Sequence, residues 1–184
     1  MPLVARPRFR HPDMHVKIRI MRCINRGDGR TVCDRRQPAE CPRAGKDPDA
    51  AGSLLSNAGD YARFLEAVMA DKGLSRPMAE AMREPLVPMT NKALFGLEAQ
   101  KPDHSHAASG LAWCLGWIYA RGPRGEMYFH IGAEGWFENF VLFIPQRQEG
   151  LVVFSSGENP AGLVRDAVKL VFGDTGLPFD WMGY

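Results

Sequence analysis

No serine precedes Ser53 in this chain of 184 residues. That gap excludes a nucleophilic serine from the whole opening segment. No Gly-x-Ser-x-Gly elbow occurs, nor a Gly-rich phosphate loop, nor His-Glu-x-x-His. Strand–turn–helix acyl transfer, phosphate cradling and zincin-type hydrolysis therefore lose their usual signatures. Close cysteine pairs are missing too: Cys23, Cys33 and Cys41 are separated by nine and seven residues, whereas structural zinc sites favour pairs two to four residues apart. Pro12 stands between His11 and His15 and breaks any shared helical face. No metal and no cofactor are expected. Apolar runs stay well short of a membrane span, and the cationic start lacks the apolar core of a secretory signal.

What is present divides unevenly. Residues 1–45 hold eleven Lys/Arg against four Asp/Glu, so the net charge of +2 conceals +7 in that segment and −5 in the remainder. Ten of the eleven cations are arginine, and neither Tyr nor Trp occurs there. Pro2, Pro7, Pro12, Pro38, Pro42 and Pro48 interrupt longer elements; only Val16–Ile20 alternates as a short strand would. Residues 1–48 read as a basic, Cys-containing, poorly ordered segment. Two other readings stand beside it: translation from a wrong start or frame, and an Arg-rich arm for an anionic surface. The acidic balance of the rest argues against nucleic acid as a partner.

From Asp49 the pattern is that of a folded body. Ser56 is placed to cap a helix over 56–72, with Asp60 in its first turn and Tyr61, Phe64, Leu65, Val68 and Met69 as its apolar stripe. Gly73 ends it. Ser75 opens a shorter helix to Arg83, with Met78, Ala81 and Met82 as its inner face. A long connection through Pro85 and Pro88 carries the polar run Lys101–Ser109, where His104 and His106 read as solvated side chains. Strands are expected over Ala112–Ala120, Glu126–Ile131, Asn139–Pro145 and Leu151–Ser156, separated by turn residues that suit hairpins. Pro160 opens a final helix lined by Leu163, Val164, Ala167, Val168, Val171 and Phe172. Cys114, among Trp113, Leu115 and Trp117, reads as a small core residue. The fold class is α+β, an antiparallel β-meander of three to five strands with flanking helices.

Nucleophilic catalysis needs a Ser or Cys, a base within reach and an oxyanion site. Ser53, Ser56, Ser155 and Ser156 have apolar neighbours, but none is followed by Lys three residues on. Ser56 reads as a cap, and Ser155 and Ser156 as the end of a strand. The remaining candidate is the stretch Tyr128-Phe129-His130-Ile131-Gly132-Ala133-Glu134-Gly135-Trp136, a strand ending in a polar His and a Gly.

Taken in order, these pieces resemble one family. Ala51-Gly52-Ser53-Leu54-Leu55-Ser56 and the helix Ser56-Asn57-Ala58-Gly59-Asp60-Tyr61-Ala62-Arg63-Phe64 resemble a segment of the serine β-lactamase/penicillin-binding-protein-like superfamily, which includes class C β-lactamases. Leu115-Gly116-Trp117 resembles its Gly-Leu-Gly-Trp strand, and His130-Ile131-Gly132 the His-x-Gly version of its Lys-Thr-Gly strand. Gly135-Trp136 and Asn139 follow in the same order, and Asn139–Ser156 and Pro160–Phe172 resemble the closing strands and helix. The resemblance spans about residues 49–184. It implies a partial β-lactamase/transpeptidase-like fold and acyl transfer to water from an ester, amide or lactam. It places substrate binding at His130, Ile131, Gly132, Glu134 and Trp136, with Gly132 admitting close approach of an acyl group. His130 would orient or polarise that group, or serve only as a hydrogen-bonded structural residue.

The family's engine is Ser-x-x-Lys with Tyr-x-Asn or Ser-x-Asn. Neither is here: Tyr61, Tyr119 and Tyr128 are followed two positions on by Arg63, Arg121 and His130. The chain thus resembles the C-terminal part of a hydrolase, with no identifiable catalytic residue. It is expected to be inactive alone, with a sheet edge and an apolar face uncovered. A complementing chain or a homo-oligomer would then be its partner, and a small acyl compound the substrate of the complete protein. The alternative is a non-catalytic binding module on the same scaffold.

Overall fold

The computed structural model describes residues 17–26, 30–32, 54, 56–134, 137–156 and 161–184. Two strands, β1 (Lys17–Arg26) and β2 (Arg30–Val32), come first, followed by helices α1 (Ala58–Met69) and α2 (Arg76–Arg83). Two short strands follow, β3 (Val87–Pro88) and β4 (Ala112–Trp113). The central strands are β5 (Ile118–Gly122), β6 (Gly125–Glu134), β7 (Phe137–Ile144) and β8 (Glu149–Ser156). Helix α3 (Ala161–Phe172) and the short α4 (Phe179–Met182) close the chain.

All strands join one sheet in the order β2-β1-β8-β7-β6-β5-β4-β3. From β3 to β8 every pairing is antiparallel, while β1 runs parallel to β8. The sheet is wider than the expected three to five strands. Part of the gain comes from β1, which pairs along Lys17–Ile24 with Glu149–Ser156. Lys17–Ile20 of the alternating stretch form its start, and the outer edge of β8 is covered rather than open. The rest comes from the short β2 and β3 and from the stretch Ala112–Ala120, which is not one strand. It folds into β4, a turn and β5, because Gly116 takes φ +85°, a left-handed conformation that glycine adopts without a Cβ clash. Leu115-Gly116-Trp117 is therefore a turn rather than a strand.

Side chains alternate along the strands and build a core on each face. On one face Phe129, Ile131, Phe140, Leu142, Leu151 and Val153 pack against Val164, Ala167, Val168 and Phe172 of α3 and Trp181 of α4. On the other, Tyr128, Val141, Phe143 and Val152 pack with Trp117 beneath Ala58, Ala62, Leu65 and Met69 of α1. Burying each large side chain contributes roughly 1.5–3 kcal/mol.

Local chemistry explains where the elements stop. The N-cap of α1 is Asn57, not Ser56: its Oδ1 accepts from the Asp60 amide at 3.0 Å, while the Ser56 hydroxyl is exposed. The helix ends at Met69, and Asp71 at φ +51° turns the chain before Gly73 does so again at +85°. Phe64, counted in the apolar stripe, is 48% exposed. In α2 the buried side chain is Ala79, with Met78 half exposed and Ala81 exposed. A stripe of three was too broad for an eight-residue helix that sits at the rim of the core.

The C-terminal segment is fastened to the sheet. Gly122 is needed where it stands, because a Cβ there would lie 2.1 Å from the Thr175 carbonyl oxygen. The Arg124 guanidinium donates to the Phe172 carbonyl at the end of α3 (3.1 Å), pairs with Glu149 (2.5 Å) and stacks on the Phe172 ring. A cation at a helix C-terminus satisfies carbonyls that lack intrahelical donors. The long connection 86–111 is also tied down: the Leu94 amide donates to the Trp181 carbonyl (2.8 Å), and Trp181 Nε1 donates to the Asn91 carbonyl (3.0 Å).

Candidate active site

Strand β6 is the central feature of the site. Its two halves have different neighbours. Gly125–Phe129 pair with β5 on one side, but β5 begins at Ile118, opposite Phe129. From His130 to Glu134 the strand pairs only with β7, so among the described residues its other edge carries no strand. An unpaired edge presents backbone N–H and C=O groups to whatever lies beside it. The β4–β5 turn, residues 114–117, stands at the foot of this notch.

His130 projects from β6 on the α1 face, in step with Tyr128. It is exposed, and among the described residues no hydrogen bond or ion pair engages its imidazole. The Trp113 ring stands 6.1 Å away, tilted by 56°. Its described neighbour is thus an aromatic ring, and the rest of the imidazole faces solvent. Gly132, two residues on, is exposed, and a Cβ built on it meets nothing within 4 Å. Packing does not require glycine there, and the volume in front of it is available to a ligand.

The other proposed binding residues are placed differently. Ile131 is 8% exposed and buried in the α3-side core, so its side chain supports the strand from behind. Glu134 ends β6, and its backbone pairs with Phe137. Trp136 and Ser53 lie outside the described residues. Ser155 is buried, its hydroxyl donating to the Glu138 carbonyl at 2.8 Å, which occupies it as a strand residue. Sequence reasoning did not single out Trp113 or Phe64 as site residues. Phe64 of α1 is stacked on Trp117 at 6.4 Å. The signal was there in a run of aromatics around one turn, but only the fold shows which rings face His130.

Two other groups are set aside by their environment. Cys114 is buried beside the Arg83 carbonyl, and burial, with the charge of Glu84 second, pushes its thiol up to about 11, which suits an inert packed thiol. A concavity of about 940 Å³ lies on the opposite face, between the 92–106 connection and the α3–α4 end. Of the cations that line it, Lys92 and Arg165 are paired with Glu98 and Asp180, and Lys169 is exposed on α3. His104 is exposed and the His106 ring lies edge-on to Trp181. Among the described residues no group of three His, Cys, Asp or Glu could hold a metal ion. No described helix is long and apolar enough to cross a membrane.

A mostly antiparallel sheet flanked by helices agrees with a β-lactamase/transpeptidase-like fold. A family model described as beta-lactamase matches residues 4–173, and the chain belongs to that family. The match begins ahead of Asp49 and takes in the Arg-rich segment. Among solved structures, the octameric penicillin-binding protein homologue from Pyrococcus abyssi superposes with a TM-score of 0.54 at 21% identity. The alignment covers 84% of this chain and 31% of that one, so the chain spans about a third of that protein's length. A comparison with curated proteins gave no match.

Proposed function

We propose that this chain is the substrate-holding part of a β-lactamase-related serine hydrolase and is inactive without a polypeptide that carries Ser-x-x-Lys. The observation that carries the reading is the His130–Glu134 edge, which no described strand pairs, beside an exposed imidazole. A two-residue turn makes Gly122 and Gly125 a facing pair. Backbone groups alternate in an antiparallel ladder, so Ile131 and Ala133 would offer their N–H and C=O groups along the open edge. An acyl compound laid there would receive an amide donor at its carbonyl oxygen, the requirement for stabilising an oxyanion. His130 would orient the group on its other side. The attacking hydroxyl would come from outside this chain: its oxygen adds to the carbonyl, the amine or alcohol departs with a proton, and water then releases the acyl group. Gly132 would keep the approach clear.

The test is acylation of the purified chain with a fluorescent fluorophosphonate, together with turnover of an ester and a β-lactam reporter. The expected result is neither labelling nor turnover by the chain alone, with turnover on addition of a family polypeptide bearing Ser-x-x-Lys. Labelling at Ser56, Ser155 or Ser156 would overturn the proposal. The open edge also favours a second reading, a binding module without catalysis, and binding without complementation would select it.

A further inference from the structure

The described side chains around His130 on its face of the sheet are uncharged. The Trp113 ring packs against the α3-side core and reaches to 6.1 Å from the imidazole at the open edge of β6, and Trp117 lies across from His130 by extension of the β5–β6 register. Phe64 stacks on Trp117, and Asn139 faces Gly132 across β6–β7. Beyond Asn139 come Phe154, its partner on β8, and Tyr61, whose ring meets Phe154 at 5.5 Å. Leu115 and Phe64, both about half exposed, form the rim. The nearest described cations on the α1 and α2 side are committed elsewhere. Arg83 pairs with Asp71 at 2.7 Å and also donates to the Val68 carbonyl, and Arg63 pairs with Asp60.

From this arrangement we infer that the site selects a neutral acyl compound, an amide or ester flanked by an aromatic or large apolar group, over one that carries a carboxylate at the same position. The inference rests on the proposed function and narrows its substrate class. A carboxylate brought against aromatic walls loses hydration and finds no described cation to replace it. An uncharged amide instead pairs through its own N–H and C=O with the open β6 edge, as an added strand does, and its ring packs against Trp113, Trp117 and Phe64.

The experiment is titration of the full chain at pH 8 with N-acetylphenylalaninamide and with N-acetylphenylalanine, following backbone amide shifts by NMR. The amide should bind at least tenfold more tightly and move the Ile131–Ala133 resonances. Phe64→Ala, at an already exposed position, should weaken it several-fold with the folded spectrum retained. If both compounds move Ile131–Ala133 and the carboxylate binds equally or better, the selectivity is wrong and the proposed function stands. If neither moves those resonances, the proposed function falls with it.

Discussion

Residues 129 to 131 of β6 pass through two environments. Phe129 and Ile131 enter a core closed by α3 and α4, whereas His130 between them meets one ring and solvent. The α3 face is held at its edges by Arg124 and by the Gly122–Thr175 contact. Among the described residues the α1 face is covered by α1, through Ala58, Ala62, Leu65 and Met69 with Tyr61 and Val68 beside them, and it opens where β5 stops short of β6. One strand thus anchors the fold through Phe129 and Ile131 and leaves His130 between them exposed. Stability and the proposed binding should therefore respond separately to substitutions along these three residues.

The sharpest way to break that contrast is Phe129→Ala. Phe129 is fully buried, and its loss should cost about 3–5 kcal/mol in urea denaturation. A cost near zero would mean that the α3 face is not the structural one. Gly122→Ala should come next, at roughly 1–3 kcal/mol, since its Cβ meets the Thr175 carbonyl oxygen at 2.1 Å. The drop in Tm would measure how firmly the C-terminal segment is seated.

A smaller effect of opposite sign is expected at Glu138. Burial raises its carboxyl above the ordinary range, with the buried Tyr184 hydroxyl nearby but not in a well-formed hydrogen bond. The folded state then holds the proton more tightly than the unfolded state does. Stability at this position rises as pH falls through the folded pKa, and the charged form is the costly one at neutral pH. Glu138→Gln should therefore raise Tm by about 1–3 °C at pH 7 and by less at pH 4. An unchanged difference between the two pH values would refute the burial argument.

His130→Ala should change stability least, within about 0.5 kcal/mol, while abolishing binding of the neutral amide. Gly132→Val should behave alike, because a side chain there enters open space rather than the core. Cys114 adds a chemical check on the α1 face. With its thiol at about 11, about one molecule in a thousand is thiolate at pH 8, so a disulfide reagent should react with it only on unfolding.

Much of this was legible before the fold was known. The α1 stripe at helical spacing, the turn residues between strands and the apolar face of α3 follow from local periodicity, which a linear sequence records. The order of short motifs also pointed to the family. Other features were less accessible. A strand's partner is set by distant residues, so the parallel seating of β1 on β8 could not be read from Val16–Ile20. The break within Ala112–Ala120 depended on one left-handed glycine among aromatics that would equally suit a strand.

The sequence by itself determined the chemistry available: a His-x-Gly strand, an aromatic run, and neither Ser-x-x-Lys nor Tyr-x-Asn. Tertiary structure decided which of those residues meet. Strand alternation sends Ile131 into the core and leaves His130 outside it, and the early end of β5 leaves the edge beside His130 open. Both depend on pairings between residues remote in the chain, whose free energy comes from packing and backbone hydrogen bonds that no short stretch contains.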